Sequence, residues 1–434
     1  DHSGDYGSRS VGIIASTHDD FYFGTYDDAG NMLTNPAAFM ETDGAKKFLN
    51  FNEDGFAGIA EGGKYYTRDF DGKTAYRVIY RPNMIHPLVA FSTTCVGYAV
   101  DFFDTTLGAP KPLPASDQIW PIKAVFNSLG VIGLLIFMVS FTLVLLDIPV
   151  FSALRSGEIV QPAPVQDSGP KAWYWVLLVI GAVFSGSSFL FCMNTVYSKT
   201  TNFFVQTGPL TIGTWAALCG VFAIFCSAVF YGAYGKKHGW SARRAGLYLN
   251  LEQLWKTIAL AVIVIVVSFG LVFAAHYFFQ VDYRMYVVAF KTFGADKVLI
   301  ALRYLPFFLL FYVMNSISAN CFNYNTIGGK NGNILIFAFF NALGAIFVVA
   351  SQYIYFYTTG YQLYGLTEGQ RIGPIWLFPC MVLLFVTPIM SRIIYKRTRN
   401  PYIAGLINAM FIVMISCSNT TTILGGGELI ATTF

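Results

Sequence analysis

Charged side chains are scarce in this sequence and unevenly distributed along it. Asp, Glu, Lys and Arg make up 12% of the 434 residues, about half the share of roughly 25% that soluble domains carry. The first 120 residues hold 16 acidic and 9 basic side chains, whereas the remaining residues hold 8 and 19. This asymmetry predicts an acidic soluble segment joined to a basic membrane segment, and it gives no reason to expect nucleic acid as a partner.

Patterns for disulfides, metals and secretion are also missing. Only Cys95 of the seven cysteines lies in the first 120 residues, and no CxxC or Cys/His pair has the spacing of a metal site. We therefore expect neither a disulfide framework nor a metal or other cofactor. The chain begins at Asp1 with no leader of the signal-peptide kind, so we expect residues before Asp1, either removed or part of a longer protein.

Long apolar runs are what the second part of the chain has in abundance. A membrane-spanning helix needs about 20 predominantly apolar residues, and eight runs of that length follow Pro121. They cover residues 124–146, 172–193, 211–234, 255–280, 298–319, 334–358, 374–394 and 402–423. The fold class expected is therefore mixed: a partial α/β segment over residues 1–110, a Pro-rich linker over 111–121 and an all-α polytopic membrane domain over 122–434.

Lys and Arg in the connecting loops predict the orientation of these spans. The first, third, fifth and seventh loops carry 11 of these side chains, and the even-numbered loops carry 5. Because loops rich in Lys and Arg stay on the cytoplasmic side, the odd loops should be cytoplasmic. With eight spans, the soluble segment and the C-terminus then face outward.

The soluble segment reads as strand, helix, hairpin and helix. "SVGIIAS" (residues 10–16) has the composition of a buried parallel strand, and "NPAAFMETDGAKKFLNF" (35–51) starts with a helix signal. "KYYTRDF" and "TAYRVIY" flank Asp71-Gly72-Lys73, which is typical of a β-hairpin. Residues 87–108 have helical spacing of apolar side chains.

Three stretches resemble the C-terminal part of an α/β-hydrolase. "GIIASTHDDF" (12–21) is similar to the late strand that ends at the acid of the catalytic triad, and "YRVIYRPNMIHP" (76–87) to the last strand and histidine loop. "HPLVAFSTTCVGYAVDFFDTTLGAP" (86–110) is similar to the closing helix. The resemblance covers residues 10–110 and points to a bacterial subgroup whose hydrolase domain continues into a multi-spanning membrane domain.

The resemblance implies that Asp19 is the triad acid and His86 the catalytic base. The family order is Ser, then Asp or Glu, then His, and no G-x-S-x-G occurs in the sequence. The nucleophile would therefore precede Asp1, in the missing N-terminal remainder of the hydrolase domain. The implied enzyme is a serine hydrolase anchored in the lipid bilayer of a bacterial cell, with an ester, a lipid or a peptide as substrate.

Less specific interpretations remain open for each of these residues. His86 could be a solvated loop histidine, Asp19 a turn carboxylate with Asp20 as the working acid, and His18 a surface neighbour. The chain could also be a transporter, channel or membrane scaffold with a non-catalytic soluble binding domain, or a pseudoenzyme. Polar residues inside the apolar runs could line a cavity or form helix–helix hydrogen bonds; they are His276, Arg303, Asn315, Asn341, Gln352 and Asn408.

Overall fold

The computed structural model describes residues 6–111, 113–157, 168–324, 326–423 and 429–430. The chain forms two compact units. The first unit comprises Asp1–Lys123 together with Val349–Ile375, and the second comprises Ala124–Val348 and Trp376–Phe434. The first unit thus includes a segment from late in the chain in addition to the acidic N-terminal segment.

The first unit is organised on a three-stranded sheet of β1 (Val11–Ile14), β4 (Tyr66–Phe70) and β5 (Lys73–Tyr80). The strand order in this sheet is β1-β5-β4. β1 pairs with β5 in parallel, and β4 pairs with β5 antiparallel. Asp71 and Gly72 connect the last two strands with φ of 50° and 80°, the left-handed pair that tight hairpin turns require. The predicted hairpin is confirmed. A short β2–β3 pair (Thr25–Tyr26 and Met32–Thr34) lies apart from this sheet.

The core of the first unit lies between this sheet and helix α1 (Asp43–Leu49). Ala15 and Ile79 from the sheet and Ala45, Phe48 and Leu49 from the helix form one buried cluster. The last four residues of β5 are all buried, so both faces of this strand are covered, because successive side chains of a strand point to opposite faces. Burial of such side chains is the main source of stability for a unit of this size.

Two predicted helices are each divided in two. The helix expected over 35–51 consists of a 3₁₀ helix (Pro36–Glu41) and α1, because the Thr42 side chain accepts the amide of Ala45 and starts a new helix. The helix expected over 87–108 consists of α2 (His86–Val89) and α3 (Thr93–Leu107), with Ser92 capping the second. Hydroxyl N-caps at internal positions account for both breaks.

The sheets of the described residues are small, with three strands in the largest and two in each of the others. The chain is mostly helical. Sheets of this size do not support an α/β-hydrolase portion as a fold assignment, so the α/β part of the expected fold class is reduced to a small mixed sheet with helices against it.

The part of the chain that the structure describes contains eight helices long and apolar enough to cross a membrane. They are α4 (Trp120–Leu145), α5 (Ser168–Thr195), α6 (Thr207–Ala233), α7 (Leu251–Phe279), α8 (Ala295–Ile317), α9 (Gly329–Thr359), α10 (Glu368–Thr398) and α11 (Pro401–Ser418). All eight expected spans are confirmed as helices, and they indicate an integral membrane protein. Two short hairpins accompany them, β6–β7 (Tyr283–Met285 and Val288–Phe290) and β8–β9 (Thr422–Ile423 and Leu429–Ile430).

Small residues let the helices of the second unit approach closely. A Cβ atom on Gly344 of α9 would lie 2.5 Å from the carbonyl oxygen of Ala182 and 2.8 Å from the amide nitrogen of Gly186, both on α5. A Cβ atom on Gly405 of α11 would lie 2.8 Å from Cα of Val313 on α8. Packing between backbones is a main source of helix association inside a bilayer, where helix faces gain nothing from leaving water.

Polar residues within the spans form hydrogen bonds to neighbouring elements. Asn315 of α8 donates to Asn341 of α9 over 2.7 Å, and Asn408 of α11 donates to the carbonyl of Thr387 on α10 over 3.2 Å. Arg303 donates to a carbonyl of a preceding loop over 3.0 Å. Helix–helix hydrogen bonds therefore account for several of these residues.

Replacing Gly344 by valine should destabilise the second unit by about 1–3 kcal/mol, because the added side chain would overlap the α5 backbone. Gly270→Val is the matched control, since a Cβ atom at Gly270 meets no atom within 4 Å. The measurement is the thermal unfolding midpoint of the detergent-solubilised protein by size-exclusion chromatography. Equal midpoints for the two variants would contradict the close approach.

Candidate acid–base site

Parallel pairing of β1 and β5 continues beyond the strands and brings the two candidate residues together. Past the strand ends, the amide of Ala15 donates to the carbonyl of Tyr80 and the amide of Thr17 to that of Pro82, each over 2.9 Å. A parallel bridge then joins His18 to Ile85. Asp19 and His86 are the next residues on the two paired segments, so they lie side by side.

The Asp19 carboxylate is buried and accepts three hydrogen bonds. Its Oδ1 accepts the amides of Phe21 over 2.9 Å and Tyr22 over 2.8 Å. Its Oδ2 lies 2.9 Å from Nδ1 of His86, and the side chain is 2% exposed. The two backbone amides hold Oδ1, and Oδ2 is therefore directed at the imidazole.

The His86 ring is held through one nitrogen and open at the other. Because the Asp19 carboxylate can only accept, Nδ1 carries the proton, and in the neutral ring Nε2 is left with its lone pair. Among the residues that the structure describes, Nε2 has no hydrogen-bond partner, and the side chain is 37% exposed. The hydrogen bond to Asp19 raises the pKa of His86, with partial burial opposing it. The Tyr22 ring lies beside it, 5.0 Å between centroids.

Asp20 holds the backbone of His86, whereas Asp19 contacts its ring. Oδ1 of Asp20 accepts the amide of His86 over 3.2 Å, and Oδ2 accepts the hydroxyl of Tyr353 over 2.6 Å. The backbone carbonyl of Asp20 accepts from Nε2 of Gln362 over 2.5 Å. Burial raises the pKa of this carboxyl to about 6, and the Tyr353 hydrogen bond lowers it in part. The two adjacent carboxylates therefore have separate contacts with the same histidine.

His18, expected as a surface neighbour, is partly buried against aromatic rings. Its ring lies 4.5 Å from that of Tyr357 and 5.5 Å from that of Phe356, centroid to centroid. Nδ1 lies 3.1 Å from the hydroxyl of Thr17. Burial lowers the pKa of His18. The ring of His18 therefore packs against aromatic residues at the end of α9.

Tyr353 and Gln362 are the site residues that sequence reasoning missed. They are separated from Asp20 by 333 and 342 positions. Tyr353 belongs to the last part of α9, where the run "SQYIYFY" (351–357) reads as the end of an apolar span. Gln352, the neighbouring residue that was considered, instead accepts the amide of Tyr364 over 2.8 Å. No local pattern connects these residues to Asp20.

In the described ranges, no group of three or more His, Cys, Asp or Glu side chains could hold a metal ion. The Asp19–His86 pair presents an oriented imidazole whose Nε2 is free to act as a base. No serine hydroxyl of the described residues lies within hydrogen-bond distance of the ring. A nucleophile would have to approach Nε2 from elsewhere.

Asp20 should make the folded protein less stable as the pH rises from about 4 to about 6. In that window the folded state keeps the proton on this carboxyl, whereas the unfolded chain has released it. A shift of this size corresponds to at most about 3 kcal/mol. Asp20→Asn should remove this pH dependence, and the exposed Asp117→Asn should retain it. The denaturant midpoint, followed by limited proteolysis, measures the effect; parallel slopes in wild type and Asp20→Asn would contradict it.

Comparison with known proteins does not assign this site to a family. No family model matches the chain, and no curated protein and no solved structure matches it.

Proposed function

We propose that this chain is the C-terminal part of a membrane-anchored serine hydrolase of the α/β-hydrolase type. Asp19 is the triad acid, His86 is the general base, and the serine is supplied by a segment outside residues 1–434. The observation that carries the proposal is the 2.9 Å hydrogen bond from His86 Nδ1 to the buried Asp19 carboxylate, which leaves Nε2 free on a partly exposed ring.

The reaction is acyl transfer to water through an acyl-enzyme. His86 Nε2 takes the proton of the serine hydroxyl while the serine oxygen attacks the acyl carbon of the substrate. The imidazolium then gives that proton to the leaving group. A water molecule then gives its proton to His86 and attacks the acyl-enzyme in the same way, which releases the carboxylic acid and restores the serine hydroxyl. Asp19 keeps the ring in the tautomer with Nδ1 protonated and stabilises the imidazolium. Esters, lipids or peptides are the substrate classes that this chemistry serves.

Asp20 and its two partners support this role as positioning groups. Asp20 holds the amide of His86, and Tyr353 and Gln362 hold Asp20. The backbone from which the imidazole projects is therefore fixed on one side by β1 and on the other by residues from the end of α9 and the turn after it. A fixed base is needed because proton transfer depends on heavy-atom distances of about 2.6–3.2 Å.

The chain order supports the hydrolase type more than a transporter or scaffold with an inert soluble segment. An acid after one parallel strand, a histidine after its neighbour and a following helix, α3, occur here in the order that the family uses. A non-catalytic binding segment has no requirement for a buried carboxylate aimed at a half-exposed imidazole.

We further propose a bacterial cell membrane as the location, with the site and the C-terminus facing outward. The support is the excess of Lys and Arg between the spans expected from the sequence, 11 on the odd-numbered side against 5 on the even-numbered side, together with the eight candidate spans. In this orientation the enzyme would act on substrates outside the cytoplasm.

His86→Ala should abolish covalent labelling of the full-length protein by a fluorophosphonate probe, lowering the labelling rate by roughly 100-fold or more, the usual contribution of a general base. In-gel fluorescence of the membrane fraction measures it. His238→Ala is the matched control, because His238 is an exposed histidine that ends a 3₁₀ helix and stacks on Tyr234. Equal labelling of His86→Ala and wild type would sink the proposed role of His86.

Asp19→Asn should reduce the rate of ester hydrolysis and should also move the acid limb of its pH–rate profile to lower pH. The hydrogen bond to Asp19 raises the pKa of His86, so the basic form of wild type accumulates only above that raised value. Without the carboxylate, the imidazole loses its proton at lower pH. The readout is the pH profile of kcat/KM for a p-nitrophenyl ester, with Asp117→Asn as the control. A lower rate with an unmoved limb would mean that Asp19 is only structural.

A further inference from the structure

A cavity of about 200 Å³ lies among the helices of the second unit. Helices α5, α6, α8, α9, α10 and α11 all contribute to its wall. The body of the cavity is apolar and rich in aromatic rings, among them Phe184, Phe222, Phe230, Phe308, Phe311 and Phe340. The acid–base site does not use this space.

One part of the wall carries a buried amide donor without a partner. Asn323 lines the cavity and is 2% exposed. Its Nδ2 has no hydrogen-bond partner among the described residues. A buried donor left unpaired costs about 1–3 kcal/mol, so the position favours a ligand that brings an acceptor.

The orientation of this amide follows from a chain of hydrogen bonds that starts at Arg392. The guanidinium can only donate, so Asn333 meets Arg392 with Oδ1, over 3.1 Å. Asn333 then presents its NH₂ group to the Thr326 hydroxyl over 3.2 Å. That hydroxyl donates to Oδ1 of Asn323 over 2.5 Å. With Oδ1 occupied in this way, Nδ2 is the atom of Asn323 left for a ligand.

Arg392 also sets the charge of this region. It is 2% exposed, and no acidic side chain of the described residues forms an ion pair with it. Besides Asn333, it contacts the carbonyl of Ala319, the side chain of Asn320 and the ring of Tyr324, with 4.4 Å from the guanidinium carbon to the ring centroid. A buried cation without a counter-charge favours a nearby anion.

We propose that this cavity binds a long-chain fatty acid, with its alkyl chain among the aromatic rings and its carboxylate accepting from Nδ2 of Asn323. The apolar body fits a hydrocarbon chain, and the unpaired donor with Arg392 behind it fits a small anionic head. This site is independent of the hydrolase proposal.

The test of the chain-binding part uses a clickable diazirine analogue of palmitic acid and the full-length protein in phosphatidylcholine nanodiscs. Gly181 lines the cavity, and a Cβ atom there meets no atom within 4 Å, so Gly181→Phe should fill the space without a clash. We expect Gly181→Phe to reduce labelling at least fivefold. Gly133→Phe on α4 is the control, because a Cβ atom at Gly133 is equally free of contacts.

The test of the head-group contact is Asn323→Asp. The new carboxylate still accepts from Thr326 and Asn333 but replaces the free donor with an acceptor. Labelling by the acid probe should fall at least fivefold, and labelling by its methyl ester should change less than twofold. Equal loss of labelling by both probes would overturn the head-group assignment.

Labelling of Gly181→Phe at the level of Gly133→Phe would overturn the site altogether, as would cross-linked peptides outside the cavity helices.

Discussion

The parallel register between β1 and β5 is the constraint on which the acid–base site depends. From Val11 opposite Arg77 to Ile14 opposite Tyr80, the paired residues differ by 66 positions, and at His18 and Ile85 the difference becomes 67. Because the backbone pairing continues past the strand ends, the residues that follow leave the sheet at the same edge. Carboxyl ends of adjacent parallel strands are where side chains from distant sequence positions converge.

Two adjacent carboxylates take different tasks because their surroundings differ. Asp19 accepts from two backbone amides and an imidazole N–H, a set of contacts that orients its carboxylate toward the ring. Asp20 is more deeply buried and receives one amide and one tyrosine hydroxyl; desolvation is the largest influence on it and raises its pKa to about 6. The same residue type thus serves one histidine in two ways, at the ring and at the backbone.

Each unit also contains a buried arginine that contacts carbonyl oxygens and aromatic rings in place of a carboxylate. Arg77 of β5 donates to the carbonyl of Gly7 over 2.8 Å and lies 4.6 Å over the ring of Phe51. Arg392 is held by carbonyl oxygens, amide side chains and the ring of Tyr324. A guanidinium is weakly hydrated and stacks on aromatic faces, which lowers the cost of such burial.

The sequence by itself determined what depends on neighbouring residues: eight apolar spans, the Asp71-Gly72 hairpin, the acidic N-terminal segment, and Asp19 and His86 as residues that follow strands. It failed where a single hydroxyl cap divides a helix, at Thr42 and Ser92, because one hydrogen bond there outweighs the periodicity around it. Only the tertiary structure decided that Tyr353 and Gln362 hold Asp20, and that Arg392 orients Asn323. Hydrophobic periodicity and capping are local signals, whereas contacts across 60 to more than 300 positions arise from packing and leave no pattern in either partner's own segment.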